Sequence, residues 1–338
     1  MTPDNLHSKK IGFVGLGHLG RLLAHSLLRA GYELTVHDLS KESAASLLSD
    51  GARWAETPHD AAVGNDCVIT CLPSPAAVSQ CMEGGLGVIA GMSRGSTWID
   101  MSTNDFTEVQ RIASLAAGRG ISCLEAPVTG GVHTAAVGEI TALVGGDPEC
   151  FQRHEQLLKA MCEPVIYIGD LGLASTLKVI TNMLAFMNQW AAGEALMLAK
   201  AAGIDLRRAY EGIRNSSGNS WSFEIETQLV LNGSYDFSFT LDLACKDFGL
   251  AYQLGRALGV PLEAAGHIEQ IFQRARATYG GQAWSTQVVK LLEDSMGQDL
   301  RAPGFPASLF SNEPKGSTDE SIGADEVPAE PVRSMTGA

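Results

Sequence analysis

Three polar side chains lie close together in an otherwise apolar segment near the middle of the chain. Lys178, Thr181 and Asn182 are spaced so that they share one face of a helix. If that face is buried, the pKa of Lys178 falls toward neutrality and its amine can accept a proton, as the oxidation of an alcohol requires. The alternative is a lysine on a solvated helix face. The spacing therefore indicates a candidate general acid/base and leaves its burial to be determined.

A glycine-rich loop near the start of the chain has the form that binds a dinucleotide. It follows an apolar run that predicts a strand and precedes a segment that predicts a helix. The first glycine permits a tight turn, the second lets a pyrophosphate approach the backbone, and the third lets helix and strand pack closely. A glycine turn without a ligand is the alternative. The predicted cofactor-binding residues of this loop are Gly15, Leu16, Gly17, His18, Leu19 and Gly20.

An acidic residue at the end of the second predicted strand bears on the choice of cofactor. Asp38 lies 18 residues after Gly20, within one strand-helix-strand unit. A carboxylate there accepts hydrogen bonds from the ribose hydroxyls and repels a 2′-phosphate, which favours NAD over NADP. Lys41 could still reach a 2′-phosphate, so NADP remains the alternative.

A second glycine turn, after another predicted strand, offers donors for an anion. Thr129, Gly130 and Gly131 present a hydroxyl and two backbone N–H groups. Such a turn can hold a carboxylate without an arginine. A purely structural glycine turn is the alternative.

The elements that must position these residues change character halfway along the chain. The first half alternates short apolar runs with helix-length segments, and the second half is helical. A long apolar segment from about Leu173 to Ala201 predicts a helix buried between domains or subunits. We predict strands at residues 11–14, 34–37, 68–72, 97–100, 123–125, 140–144 and 165–168, and shorter helices at 18–30, 205–213, 239–258, 262–279 and 286–292.

These patterns predict an α/β protein: an N-terminal Rossmann domain with a doubly wound parallel sheet, then an all-helical C-terminal domain joined by the long helix. The predicted bounds are 1–172 for the dinucleotide-binding domain and 173–300 for the helical domain. Residues 301–338 are rich in Pro, Gly, Ser and acidic residues and are expected to form a disordered tail.

Composition excludes several classes of function. The chain has 338 residues, of which 45% are hydrophobic, and its net charge of −14 includes no basic run. Nucleic acid and membrane surfaces are therefore poor partners. We see neither a targeting segment nor a membrane span, and the seven scattered cysteines predict buried thiols in a reducing cytoplasm. Neither His37 nor His133 has metal-ligand spacing, so no metal is predicted.

The chain resembles the β-hydroxyacid dehydrogenases, which include 3-hydroxyisobutyrate dehydrogenase and, more distantly, 6-phosphogluconate dehydrogenase. The likeness runs in order from residue 11 to residue 292. The motifs that carry it are Gly-Leu-Gly-His-Leu-Gly (15–20), Cys-Leu-Pro (71–73), Asp-Met-Ser-Thr (100–103), Ala-Pro-Val-Thr-Gly-Gly (126–131), Leu-Val-Gly-Gly (143–146), the Lys178 segment and Lys-Asp (246–247).

The resemblance implies an NAD-dependent oxidoreductase that interconverts a small 3-hydroxy acid and its semialdehyde, with Lys178 as general acid/base. It implies a small anionic hydroxy acid as substrate and a homodimer or homotetramer as the assembly. By carry-over from the family, the cofactor is lined by Leu72, Pro73 and Thr103; the substrate is surrounded by Thr129, Gly130, Gly131 and Asn182; and Lys246 reaches both.

The sequence departs from the family pattern at several positions. Thr129 replaces the common serine, Ala174 replaces a glycine, and Thr181 replaces an asparagine whose amide would help to orient substrate. These changes bear on which substrate binds more than on the chemistry. The alternatives are a semialdehyde, glyoxylate or imine reductase that uses NADPH, or a non-catalytic Rossmann scaffold. Retention of Lys178 disfavours imine reduction and the scaffold.

Overall fold

The computed structural model describes residues 10–310. A nine-stranded sheet, with strand order β3-β2-β1-β4-β5-β6-β8-β7 and β9 paired to β8, occupies the first half of the chain. The strands are β1 (Lys10–Val14), β2 (Glu33–His37), β3 (Arg53–Trp54), β4 (Cys67–Thr70), β5 (Thr97–Asp100), β6 (Ser122–Glu125), β7 (Val128–Thr129), β8 (Thr141–Gly146) and β9 (Val165–Gly169).

Eight helices connect and flank these strands, and together they form the doubly wound domain predicted from the sequence. The central strands are apolar runs because helices cover both faces of the sheet, and β1, β4 and β5 are almost wholly buried. The helices are α1 (Gly20–Arg29), α2 (Ala45–Ser49), α3 (Pro58–Ala62), α4 (Pro75–Met82), α5 (Val88–Gly91), α6 (Phe106–Ala117), α7 (Val132–Ala136) and α8 (Pro148–Lys159).

The direction of winding reverses beside β1. This strand pairs in parallel with β2 on one side and with β4 on the other. The loops that leave the carboxyl ends of β1 and β4 therefore diverge and form a crevice between them, which is where open α/β sheets bind their ligands. Both the glycine loop at 15–20 and the Cys-Leu-Pro segment at 71–73 lie at this edge.

The far edge of the sheet differs from the expectation of a purely parallel sheet. Strand β8 runs antiparallel to both β6 and β7. The chain leaves β7 through Gly130 and Gly131, both at positive φ, and returns through the short helix α7. Such a connection is too short to cross over to a parallel strand, so the returning strand pairs in the opposite direction.

The second half of the chain is helical, as predicted. Its helices are α9 (Leu173–Ala201), α10 (Leu206–Arg214), α11 (Trp221–Asn232), α12 (Leu241–Leu258), α13 (Glu263–Tyr279) and α14 (Lys290–Met296). They share a core in which the ring of Phe186, on α9, packs in a tilted arrangement 5.2 Å from that of Phe248 and 5.4 Å from that of Phe272, measured between centroids. The sequence analysis did not predict α11, because its buried residues are distributed around the helix rather than along one stripe.

The predicted tail differs at its beginning. Residues 301–310 lie against the helical domain: Arg301 pairs with Glu293 at 2.7 Å, and Phe305 packs edge-on against Tyr210 with 4.9 Å between ring centroids. These contacts extend the ordered chain past the predicted boundary of 300. The remainder of the predicted tail, 311–338, lies outside the described residues. Between residues 10 and 310, no helix combines the length and apolar composition that crossing a membrane needs.

Candidate active site

The glycine loop has the shape of a phosphate cradle. Gly15 has φ +98°, and a side-chain carbon on it would lie 2.3 Å from the carbonyl oxygen of Cys71. A carbon on Gly20 would lie 2.0 Å from the oxygen of Gly15. Gly17, by contrast, faces open space. The first and third glycines are therefore required by packing, and the second leaves the backbone accessible from outside.

The helix that follows this loop begins without a side-chain cap. Leu19 occupies the capping position, it makes no side-chain hydrogen bond there, and the first turn of α1 contains no acidic residue. The first N–H groups of α1 therefore face the loop without a protein carboxylate, and the helix dipole favours an anion at this end. His18 is exposed beside them and Leu16 is buried. These features fit the pyrophosphate of a dinucleotide.

Asp38 is held in place by two backbone groups. Its carboxylate accepts a hydrogen bond of 2.7 Å from the N–H of Leu16 and one of 3.0 Å from the N–H of Ser40. The side chain therefore ties the end of β2 to the glycine loop and remains half-exposed at the crevice. The ammonium of Lys41 lies 5.6 Å from the ring centroid of Trp54, where the ring face attracts it.

On the other side of the crevice, Leu72 and Pro73 leave the end of β4. The N–H of Leu72 donates to the hydroxyl of Ser102 at 2.9 Å, and Pro73 is exposed. Thr103 lies in the loop after β5, and its carbonyl oxygen is 3.4 Å from Nζ of Lys246. The predicted cofactor-lining residues thus belong to neighbouring loops at one edge of the sheet.

A buried carboxylate that the sequence analysis did not single out organises these loops. Asp100 ends β5 and accepts hydrogen bonds from Thr70 Oγ1 at 2.9 Å, from the N–H of Ser102 at 3.1 Å and from Asn104 Nδ2 at 2.9 Å. Burial raises its pKa, while these hydrogen bonds oppose that shift. The Asp-Met-Ser-Thr motif contained the signal, but only as a likeness to the family.

The glycine turn at 129–131 adopts a backbone conformation that favours glycine. Gly130 and Gly131 have φ +129° and +91°, and Gly131 is followed immediately by α7. Thr134 Oγ1 donates to the carbonyl of Gly131 at 2.9 Å, which fixes the turn against the helix. Among residues 10–310, no direct hydrogen bond joins this turn to Lys178.

Lys178 is buried in the second turn of α9, which resolves the ambiguity left by the sequence. The residue is only 7% exposed, and its Nζ donates to Asn182 Oδ1 at 2.8 Å. Burial lowers its pKa to about 8; the charge of Asp247 opposes this shift and that of Lys246 adds to it. A lysine in this environment exchanges a proton readily near neutral pH.

Asn182 connects the lysine to the helical domain. Its Nδ2 donates to Asp247 Oδ2 at 2.6 Å, and Lys246 Nζ lies 2.6 Å from Asp247 Oδ1. Asp247 is buried on α12. The structure therefore brings Lys178, Asn182 and Lys246 together as predicted and adds Asp247 as the group between them, and its only sequence signal is its position beside Lys246.

A third carboxylate that was not predicted, Glu125, fixes the helix carrying Lys178. Glu125, at the end of β6, is fully buried beneath the first turn of α9. It accepts hydrogen bonds from the N–H groups of Gly172 at 2.6 Å, Ala174 at 2.8 Å and Ser175 at 3.2 Å, and from the Ser175 hydroxyl at 2.5 Å. Four donors and the positive end of a helix surround this carboxylate, and they oppose the rise in its pKa that burial causes.

No group of three or more His, Cys, Asp or Glu side chains in residues 10–310 is arranged to hold a metal ion. The seven cysteines are all free, and each is buried or half-buried.

Comparison with known proteins places both halves of the chain. A model of the NAD binding domain of 6-phosphogluconate dehydrogenase matches residues 10–169, and a model of the NAD-binding region of NADP-dependent 3-hydroxyisobutyrate dehydrogenase matches residues 172–292. The chain is 32% identical to 2-(hydroxymethyl)glutarate dehydrogenase of Eubacterium barkeri over 86% of its own length and 97% of that protein. It is 34% identical to L-threonate dehydrogenase of Escherichia coli, covering 83% of this chain and 94% of that protein.

The fold agrees with these sequence relationships. The structure of 3-hydroxyisobutyrate dehydrogenase from Mycobacterium tuberculosis, solved with L-serine, superposes with a TM-score of 0.77 at 27% identity, over 85% of this chain and 99% of that one. Sequence, fold and the cradle at residues 15–20 agree. The chain therefore belongs to the β-hydroxyacid dehydrogenase family of NAD(P)-dependent oxidoreductases.

Proposed function

We propose that the protein oxidises the alcohol of a small 3-hydroxy acid to the semialdehyde, and reduces the semialdehyde in the reverse direction, with Lys178 as the general acid/base. The observation that carries this proposal is the burial of Lys178 with its amine against Asn182 and its pKa near 8. An amine with that pKa is available in both protonation states near neutral pH, as a reversible proton transfer requires.

The cofactor would lie in the crevice beside the glycine loop. Its pyrophosphate would meet the backbone at Gly17 and the start of α1, and Leu72, Pro73 and Thr103 would line the opposite side. When bound, NAD(P)⁺ accepts a hydride from the carbon that carries the substrate hydroxyl. The protein's part is to position that carbon and to move the proton.

Lys178 would handle the proton. In oxidation its neutral amine accepts the proton of the substrate hydroxyl, and in reduction its ammonium returns the proton to the oxygen. The hydrogen bond to Asn182 fixes the direction of the amine, and the burial of Lys178 excludes bulk water from it. Asp247 and Lys246 tune its basicity in opposite directions.

The substrate carboxylate would bind at the glycine turn. The hydroxyl of Thr129 and the N–H groups of Gly130 and Gly131 supply the donors, and Lys246 adds positive charge from α12. A chain of net charge −14 does not attract an anion from a distance, so recognition depends on these local groups.

We further propose NAD over NADP. Asp38 lies half-exposed at the end of β2, where its carboxylate would meet the ribose hydroxyls and repel a 2′-phosphate. Lys41, the residue that could favour NADP, lies over Trp54.

A panel assay tests the proposed reaction. Purified protein is mixed with NAD or NADP and with 3-hydroxyisobutyrate, 3-hydroxypropionate, serine, glycerate, 4-hydroxybutyrate or threonate, and formation of the reduced cofactor is followed by absorbance. We expect turnover of at least one 3-hydroxy acid with a preference for NAD. A second assay offers NADPH with a cyclic imine or glyoxylate and follows consumption of the reduced cofactor; turnover confined to that assay would favour the reductase alternatives. Cofactor binding without any turnover would favour the scaffold.

The organisation of the chain enters the proposal through three further inferences. We propose that the domain boundary lies between residues 172 and 173, since the sheet ends at Gly169 and α9 begins at Leu173, and that the helical domain extends past its predicted end at residue 300. We also propose a homodimer or homotetramer, because α9 exposes Leu184 by 54% and Leu198 by 73% on one apolar face. Light scattering measures the mass of the assembly in solution, and L184E should reduce that mass.

The location of the protein follows from a different observation. The unpaired cysteines support a cytoplasmic location.

A further inference from the structure

Three aromatic rings from both halves of the chain meet beside the glycine turn. His133, in α7, lies 6.1 Å from Trp221 at the start of α11 and 6.0 Å from Phe237, measured between ring centroids, and Trp221 and Phe237 are 6.3 Å apart. A carbon built on Gly131 would lie 3.1 Å from His133 Cε1 and 3.2 Å from Phe237 Cζ. We refer to His133, Trp221 and Phe237 as the ring wall.

The loop that carries Phe237 is held in a conformation that costs energy. Tyr235 and Ser238 have φ +54° and +57°, a region that side chains other than glycine seldom adopt. Such strain persists only where the surrounding structure enforces it, and it concentrates at functional sites. Here it places the Phe237 ring against Gly131.

The enforcing contacts come from the end of the described chain. Tyr235 is buried, and its hydroxyl donates to Glu293 and accepts from Arg301 at 2.7 Å. The hydroxyl of Thr286 donates to the carbonyl oxygen of Tyr235. Thr286, Glu293 on α14 and Arg301 therefore hold Tyr235, and through it the loop that carries Phe237, beside the glycine turn at 129–131.

His133 differs from its two neighbours because its ring can both donate and accept a hydrogen bond, whereas Phe237 has no polar atom and Trp221 has only the donor of its indole nitrogen. Neither of its ring nitrogens has a hydrogen-bond partner among residues 10–310, and the residue is half-buried. Burial lowers its pKa, so the ring is neutral at pH 7 and offers one donor and one acceptor. A half-buried polar group flanked by Phe237 and by Trp221, which is 48% exposed, favours a ligand that supplies a hydrogen bond over one that supplies a methyl group.

We propose that the ring wall makes the enzyme select 3-hydroxy acids with a polar substituent, such as a hydroxyl or an ammonium, on the carbon next to the carboxylate. This specificity rests on the function proposed above, in which the carboxylate binds at Thr129 to Gly131. With the carboxylate there, the substituent on the next carbon would face the ring wall, because a carbon built on Gly131 lies 3.1 Å from His133 Cε1 and 3.2 Å from Phe237 Cζ. Trp221 and Phe237 limit its size, and the nitrogens of His133 bind its polar atom.

Three substrates that differ only at this carbon provide the test. Racemic glycerate carries a hydroxyl, racemic 3-hydroxyisobutyrate a methyl of similar size, and 3-hydroxypropionate neither. We expect kcat/KM of the wild-type protein for glycerate to exceed that for 3-hydroxyisobutyrate by about tenfold or more. In H133F this ratio should fall by about tenfold, while kcat/KM for 3-hydroxypropionate changes by less than about threefold.

Two further variants separate recognition from structure. H133Q keeps a donor and an acceptor and should retain most of the preference for glycerate, and H267Q, at an exposed histidine of α13, should behave as wild type. If the wild-type protein preferred the methyl compound, or if the ratio were unchanged in H133F, the proposed role of the ring wall would be wrong and the proposed reaction would stand. Failure of all three compounds, with bound cofactor demonstrated, would overturn both.

Discussion

Lys178 Nζ donates a hydrogen bond of 2.8 Å to Asn182 Oδ1, one turn further along α9. The other end of the same amide donates to Asp247 at 2.6 Å, so the amide cannot rotate without losing both bonds. The amine is therefore directed by α12 as well as by its own helix. Lys178 and the charged pair Lys246–Asp247 of the helical domain form one connected network, and the first predictions concern it.

Removal of the amine should abolish turnover and leave cofactor binding intact. K178A is expected to lower kcat by at least about 10³-fold, because general acid/base catalysis is lost. Within residues 10–310 the Lys178 amine donates to Asn182 and makes no hydrogen bond to the glycine loop, so the dissociation constant for NAD, measured by calorimetry, should stay within about twofold. K178R is the matched control: its guanidinium keeps the charge but does not deprotonate, and it should be as inactive as K178A. An equal loss of NAD affinity would contradict the role assigned to Lys178.

The direction of the reaction should set the sign of its pH dependence. Oxidation needs neutral Lys178, whose pKa is about 8, so kcat/KM should rise about tenfold per pH unit below that value and level off above it. Reduction needs the ammonium and should decline above about pH 8. Initial rates in both directions across this range provide the measurement. Parallel profiles in the two directions would exclude Lys178 as the group that titrates.

Two neighbouring substitutions should move these profiles in opposite directions. The negative charge of Asp247 stabilises the ammonium of Lys178, so D247N should shift the oxidation profile to lower pH. The positive charge of Lys246 lowers the pKa of Lys178, so K246M should shift the oxidation profile to higher pH. Shifts of about half a pH unit or more are expected. A merely structural role would reduce the rate without moving the profile.

Cofactor choice should depend on the charge at position 38. D38N keeps an oxygen that can accept from the N–H of Leu16 but removes the repulsion of a 2′-phosphate. We expect the ratio of kcat/KM for NAD to that for NADP to fall by about tenfold. K41M serves as the control, since Lys41 lies over Trp54, and it should leave the ratio unchanged. An unchanged ratio in D38N would show that other residues select the cofactor.

Burial of the lysine should lower the stability of the folded protein. The pKa of Lys178 falls from 10.5 to about 8 on folding, so the unfolded state binds more protons between those values, and stability rises with pH there. The full cost is present below about pH 8. K178M should therefore raise the free energy of unfolding by about 1–3 kcal/mol at pH 7, and this gain should shrink toward pH 10. Thermal melting at both pH values measures it, and a pH-independent difference would contradict this origin.

Much of the architecture follows from local patterns in the sequence. Each predicted strand is present within about two residues, and α9 begins and ends where its apolar run does. These elements are determined by their own residues. The strand β8 was predicted but its antiparallel direction was not, because that direction depends on the length of the connection after Gly131. The helix α11 was not predicted, because it is buried on most of its circumference.

The residues of the candidate site also divide into those that the sequence singles out and those that it does not. The glycine loop and Lys178 have recognisable neighbours in sequence, so their types and spacing were sufficient to single them out. Asp100, Glu125 and Asp247 act on residues far along the chain, and Glu125 meets Ser175 50 residues away. The ring wall brings Gly131 against Phe237 in the same manner. Contacts of this kind exist only after the chain has folded.

The hydrogen bonds of Glu125 also have a consequence for how the protein unfolds. Glu125 ends strand β6 of the sheet. Three of the hydrogen-bond donors to its carboxylate belong to α9, the helix that also contributes to the core of the helical domain. If either domain unfolded alone, the Glu125 carboxylate would lose its donors and the first N–H groups of α9 would lose their acceptor. The two halves are therefore expected to melt in a single cooperative transition, and E125Q should divide it into two steps visible by calorimetry.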